Sequence, residues 1–269
     1  SGDRLQVWRF HVDWAAPSLT RFEGPALLAV APFDTNMCDY SRTCIPQRGT
    51  AAKVDAMADR LMYRLQYRNF GTHESLVVNH TVDADGTDHA GIRWYEIRGP
   101  FTSPVLHQQG TYAPDQDHRW MGSAAMDALG NLALGFSVSG DGTWPSVRYT
   151  GRLSGDPPGA MTQGEAEIVA GTGAQTHPSG RWGDYSMMAV DPSDDCTFWY
   201  TQQYYADTTT SAWRTRIGTF SFPSCAPPSD VTRVTVTATT PTASESGAAG
   251  AFTVTRTGDT TDPLTVSFA

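Results

Sequence analysis

Short segments rich in aromatic and β-branched residues recur along this chain, each bounded by Gly, Pro, Asp or Ser. That punctuation restricts it to an all-β fold. RLQVWRFHV (4–12), GIRWYEIR (91–98), NLALGFSVS (131–139), SVRYTGR (146–152), CTFWYTQQYY (196–205) and RTRIGTFSF (214–222) each read as one strand. Only TAAKVDAMADRL (50–61) reads as a helix, with Val54, Met57 and Leu61 on one face. The alternative for this stretch is a direct run into a strand, because Leu61, Tyr63, Leu65 and Tyr67 alternate.

A loose repeat organises these strands. HESLVVNHTVD, RWMGSAAMDALGN and RWGDYSMMAVDPSDD each place a serine at the head of an apolar strand and an aspartate at the turn that closes it. An aromatic strand then follows. Arg119 and Arg181, which open the second and third copies, are about 60 residues apart, near the upper end of the spacing of β-propeller blades. A sandwich would also give evenly spaced strands, but not the recurrence of Ser, Asp and aromatic strand in that order.

The 269 residues suffice for one large all-β domain or two smaller ones. A net charge of −9 argues against binding to nucleic-acid phosphates as the main task. Lys53 is the sole lysine, so nearly all positive charge is carried by arginine. No apolar run reaches the roughly 18–20 residues of a membrane span, and the opening SGDRLQVW is no signal peptide, which predicts a mature or truncated chain. Cys38, Cys44, Cys196 and Cys225 lack the pair spacing of a zinc site. Of the three connectivities, Cys38–Cys44 with Cys196–Cys225 is favoured, and it implies a secreted protein in an oxidising, extracellular compartment.

Composition changes after Cys225. Residues 226–230 form a proline-bearing linker, and 231–269 is threonine-rich, with VTRVTVTA, AFTVTRT and LTVSFA as strands and GDTTDP as a hairpin turn. TASESG followed by GAFTVTRTGDTTDPLTVSF resembles the first strands of a Calx-β domain. That resemblance implies a β-sandwich-type segment, and calcium as a cofactor, with Glu245 at the early acidic position. Residues 1–225 are similar to a family of large secreted bacterial β-propeller-like proteins of unassigned function. The likeness is carried by CIPQRGT, DRLMYRLQYRNFGTHESLVVNHTVD, GIRWYEIR, PSVRYTGR and RWGDYSMM followed by DDCTFWYT. It implies that these residues are the C-terminal portion of a larger propeller, whose N-terminal half is a partner or an upstream segment. It supplies no catalytic residues.

Candidate sites follow from residue chemistry. Arg181, Trp182, Asp184 and Tyr185, with Arg119 and Trp120 in the preceding copy, have the stacking and hydrogen-bonding groups to hold a glycan or a cell-surface protein. Repetition of Arg-Trp in successive copies favours an architectural role, since a site is usually unique. A sialidase-like glycoside-active enzyme is the alternative, with Arg93, Arg148 and Arg181 on a carboxylate and Tyr185 and Glu96 in the chemistry. No Arg-Ile-Pro opening occurs, and SGDGTW (139–144) is too short for an Asp box. Asp83, Asp85 and Asp88 in DADGTD have the oxygen spacing of a calcium loop but also that of an ordinary hairpin turn; DPSDD (191–195) is a weaker case. His73, His80 and His118 have no helical metal spacing, and Asn79-His80-Thr81 matches the glycosylation sequon. The expected function is that of an extracellular binding or adhesion protein.

Overall fold

The computed structural model describes residues 2–225, 233–240, 249–257, 263 and 265. The chain divides into two compact units, Ser1–Cys225 and Ala226–Ala269. The described part of the first unit is built from four antiparallel sheets, each a meander in chain order. β1 (Arg4–His11) pairs with β2 (Arg21–Ala29). The second sheet comprises β3 (Gln66–Asn69), β4 (Glu74–Asp83), β5 (Ala90–Arg98) and β6 (Val105–Tyr112). The third comprises β7 (His118–Met126), β8 (Leu132–Ser139), β9 (Ser146–Arg152) and β10 (Gln163–Val169). The fourth comprises β11 (Met187–Val190), β12 (Phe198–Tyr204) and β13 (Arg214–Phe220).

Side-chain alternation explains how the sheets stack. Leu5 and Leu28 of the first sheet meet Leu76, Val78, Tyr95 and Ile97 of the second. The other face of the second sheet, through Val77, Ile92 and Trp94, meets Leu132, Leu134 and Phe136 of the third. The third sheet turns Ala133 and Val147 toward Met188, Phe198 and Tyr200 of the fourth. Every residue of β8 is therefore buried, because its even and odd positions serve two different cores. The face toward the fourth sheet carries small residues because the sheets approach closely there. A Cβ on Gly135 would lie 2.6 Å from the Tyr200 ring. The first strands of the second, third and fourth sheets also converge. Gln66 on β3 donates to the Met188 carbonyl on β11 at 2.7 Å, and Arg68 makes two bonds, of 2.9 and 2.5 Å, to the Asp195 carboxylate after β11.

The helix expected over 50–61 does not form. Ile45 and Val54 make an isolated antiparallel bridge, and Met57 has a φ of 47°. Val54, Ala56, Met57 and Ala58 are all buried, so burial is nearly continuous rather than confined to one helical stripe. The Asp55 carboxylate accepts the Met57 amide at 2.8 Å and turns the chain instead. Nor does a strand start at Leu61: Leu61, Tyr63 and Leu65 are exposed, and pairing begins at Gln66. Residues 37–62 pack with Trp120, Trp182 and Tyr205 over one end of the sheets.

Both expected disulfides are present, Cys38–Cys44 and Cys196–Cys225, with Cα separations of 5.6 and 5.3 Å. They suit an oxidising compartment. The second closes the longer loop, across a sequence separation of 29, and ties the start of β12 to the end of β13. Cys196→Ser is expected to cost roughly 2–4 kcal/mol by releasing that loop in the unfolded chain, and Cys38→Ser less. Thermal melting of both variants checks the order; equal losses would contradict it.

In the second unit, β14 (Arg233–Thr240) and β15 (Ala251–Thr257) form an antiparallel pair with Val236 opposite Val254. Glu245, most of the GDTTDP turn and most of the strand expected over 264–269 lie outside the described residues, as does the linker at 226–230. Among the described residues, no helix is long and apolar enough to cross a membrane.

Candidate functional site

The repeat has a local physical meaning. Its aspartates nucleate the turns that follow β4, β7 and β11. Asp83 accepts the amides of Asp85, Gly86 and Asp88; Asp127 those of Leu129 and Asn131; Asp191 that of Ser193. Two of its serines join neighbouring sheets. The Met188 amide donates to Ser123 Oγ at 2.9 Å, and Ser186 Oγ donates to the Met121 carbonyl at 2.8 Å.

Arg119, Trp120 and Trp182 lie in the interior, at 0, 0 and 1% exposure, where they cannot stack on a ligand. Arg119 donates Nε to Glu165 at 2.8 Å and both terminal nitrogens to Asp115. Burial pulls its guanidinium pKa down, but these two carboxylates more than offset it and the net shift is upward. The Trp120 and Trp182 rings pack 5.7 Å apart, Tyr205 lies 5.6 Å from Trp182, and Trp182 Nε1 donates to Ser137 Oγ at 3.0 Å. The two Arg-Trp copies therefore meet through their tryptophans.

Arg181, Asp184 and Tyr185 are placed differently. Arg181 donates to both Asp184 oxygens at 2.9 and 2.7 Å, and this pair stands between two clefts. One, of about 260 Å³, is bounded by the 35–60 loop and carries Arg42, Arg60, Asp55 and Asp59. The other, wider and of about 560 Å³, carries His177, Gln203, Thr210 and Trp213. Tyr185 is 45% exposed, beside Tyr63 at 6.4 Å and close enough to interact with Arg60. Trp213 is 59% exposed. Trp213 carries no repeat signal, and nothing in its sequence context sets it apart; its exposure on the irregular segment before β13 emerges only in the fold.

The other sequence candidates are dispersed. Arg93 donates to Thr111 and to the Ala31 and Pro32 carbonyls, Arg148 pairs with Glu165 and Glu167, and Arg181 with Asp184. Glu96 is buried and accepts from Ser75, Arg98 and Gln108. Burial raises its pKa, but those three donors outweigh it and the net shift is downward. Among the described residues, Arg93, Arg148, Arg181 and Glu96 share no hydrogen-bond or ion-pair partner. Asp83, Asp85 and Asp88 sit together in the β4–β5 turn, occupied by backbone amides; Asp88 also accepts the Cys38 amide at 2.6 Å. Cys38 and Cys44 lie beside Asp88 at ligand-like spacing, but both sulfurs are spent in the disulfide. Asn79 is buried within β4, so the sequon is closed to a glycosyl donor in the folded chain.

Two histidines are held neutral. His80 packs between Phe33 and Tyr95, and its Nε2 lies 3.0 Å from the Tyr95 hydroxyl. Burial, then Arg93, pushes its pKa from 6.5 down to about 4. His118 is also pushed down to about 4, by burial and then by His89, and its Nδ1 accepts the Ala90 amide. In the unfolded chain these rings bind protons near 6.5. Their contribution to stability is full above that value, falls as pH drops from 6.5 to about 4, and then levels off. For His80 the loss is about 3 kcal/mol. Urea midpoints taken through this window should fall steadily; a flat profile would contradict the buried, neutral placement.

The folded first unit, with its exposed ion pair between two clefts, belongs to the class of all-β proteins stapled by disulfides. No protein family, curated protein or solved structure matches the chain.

Proposed function

We propose that this chain is an extracellular binding protein and that its recognition surface is the end of the sheets bearing Arg181, Asp184, Tyr185 and Trp213. The observation that carries this reading is an ion pair, Arg181–Asp184, shared by two polar clefts, with exposed Trp213 lining one and exposed Tyr185 against Arg60 at the edge of the other. Aromatic faces beside amide, hydroxyl and charged groups suit a sugar, whose ring has apolar faces and a hydroxyl rim. The two disulfides support an extracellular setting. Meanders stacked in chain order, with first strands converging, support a propeller-like arrangement of the sheets.

A glycan array run beside a cell-surface pull-down tests the reading. Wild type should retain a ligand that Tyr185→Ala and Trp213→Ala each weaken at least tenfold, on the scale of losing about 1.4 kcal/mol or more of binding. Both variants should melt with wild type. No ligand above background in either assay would overturn the proposal.

A second reading rests on β1 and β2. Trp8 and Phe22 stack at 5.0 Å, Phe10 packs edge-on, and all three remain at least 47% exposed. This two-stranded sheet fits an incomplete blade that further strands extend, as in a propeller completed by an N-terminal half. Trp8→Ser with Phe22→Ser should abolish association with such a segment, measured by size; unchanged association would overturn it.

A further inference from the structure

At the opposite end of β7 from Trp120, a cleft of about 140 Å³ opens between the second and third sheets. Arg98 ends β5, Arg152 ends β9, His107 lies on β6, and His73 lies in the β3–β4 turn; all four line the cleft. Arg152 is 3% exposed, and its Nε has no hydrogen-bond partner among the described residues. A guanidinium N–H left unpaired at that depth is costly and marks a place built for an acceptor. Its NH2 is fixed by the Asp156 carbonyl at 2.5 Å, which holds the guanidinium in place.

A second arginine and two histidines supply the other guanidinium and ring nitrogens at the cleft. Arg98 commits Nε to Glu96 at 2.8 Å. His73 contacts Thr72 through Nδ1 and stacks on Phe70 at 4.7 Å, leaving Nε2. Both carboxylates that line the cleft are already engaged. Glu96 is held by Ser75, Arg98 and Gln108, and Asp156 by the Leu153 amide, Thr162 and Gln163. The four basic groups are also close enough to feel one another. Burial lowers the His107 pKa first; Glu96 opposes the shift, while Arg98, His73 and Arg152 reinforce it. Burial likewise lowers the Arg152 pKa, with Asp156 and Glu96 opposing the shift and Arg98 reinforcing it, so an anion at the free Nε would add to the stabilisation that the two carboxylates supply from the side.

We propose that this cleft binds one small oxyanion group, the carboxylate, sulfate or phosphate of a larger ligand, through Arg152 and Arg98 with the two histidines at its rim. The volume admits a single such group, and planar guanidinium donors match its oxygens in pairs. The site lies apart from the Arg181–Asp184 clefts and stands whether or not that surface binds a glycan.

Calorimetric titration of the full chain with sodium glucuronate, sulfate and phosphate, against chloride at matched ionic strength, tests it. Saturable binding is expected for at least one anion, weakened at least tenfold in Arg98→Gln and Arg152→Gln. Glucuronate alone binding identifies a carboxylate ligand; sulfate or phosphate alone identifies an ester. Should Arg152→Gln fail to fold, Arg98→Gln, on a partly exposed side chain, decides the question. No saturable binding by wild type, or affinities unchanged in Arg98→Gln, overturns the proposal.

Discussion

Trp182→Ala is expected to destabilise the first unit by roughly 3–5 kcal/mol, the range for deleting a large buried aromatic side chain. The indole fills space between Trp120 and Tyr205 and is 1% exposed. Its loss leaves a cavity under the 37–62 loop and strips Ser137 Oγ of its donor. Trp182→Phe separates the two effects. It keeps most of the ring packing and loses the bond to Ser137, so about 1–2 kcal/mol is expected. Urea unfolding of both variants gives the comparison. Equal losses would mean that the hydrogen bond, not the packing, dominates.

Arg119→Ala is expected to cost roughly 3–5 kcal/mol, because it removes one partner of a buried ionic cluster and leaves the others uncompensated. The asymmetry of the cluster shapes the outcome. Arg119 is wholly buried and Glu165 nearly so, at 15% exposure, whereas Asp115 reaches solvent. Glu165 keeps Arg148 at 3.2 Å and its contact with Tyr112 when Arg119 is lost, neither of which replaces the buried guanidinium. Changing Arg119 and Glu165 together to methionine should recover most of the loss, since an apolar pair of similar volume often matches a buried ion pair. A double variant no more stable than Arg119→Ala would contradict this and point to the arginine stem as the source of stability.

These two positions also show how far the letters of the sequence reach. Arg-Trp opens the second and third copies of the repeat with the same look, yet Arg119 is enclosed and Arg181 is exposed. What separates them is Glu165, 46 residues away in sequence and brought alongside by β10, and periodicity carries no information about such a meeting. Strands with clear alternation or a long apolar run were legible: β5, β8, β9, β12 and β13 fall within a residue or two of their expected spans. β2, β6 and β10 gave no comparable signal. RFEGPALLA is broken by Gly and Pro, and VLHQQGTY and QGEAEIV lie at or toward sheet edges, where polar residues weaken the pattern. The 50–61 stretch misled because buried residues on a tightly covered loop mimic a helical stripe. The aspartates were legible as turn residues, and the structure gives each its amide partners. The disulfide pairing was legible because Cys38 and Cys44 flank the short DYSRT segment, while Cys196 and Cys225 bracket the two strands before the proline-rich stretch. Trp213 and the oxyanion cleft were not, since both depend on which loops fold over which sheet ends.

The residues of the two repeat heads thus divide into Arg119, Trp120 and Trp182, which hold the sheets together, and Arg181 and Tyr185, which stay exposed at or beside the clefts. Equilibrium urea unfolding of four single variants tests that division most directly. Arg119→Ala and Trp182→Ala should each lose about 3 kcal/mol or more, whereas Arg181→Ala and Tyr185→Ala, at exposed positions, should each lose less than about 1 kcal/mol. Four comparable losses, or a reversal of the order, would contradict it.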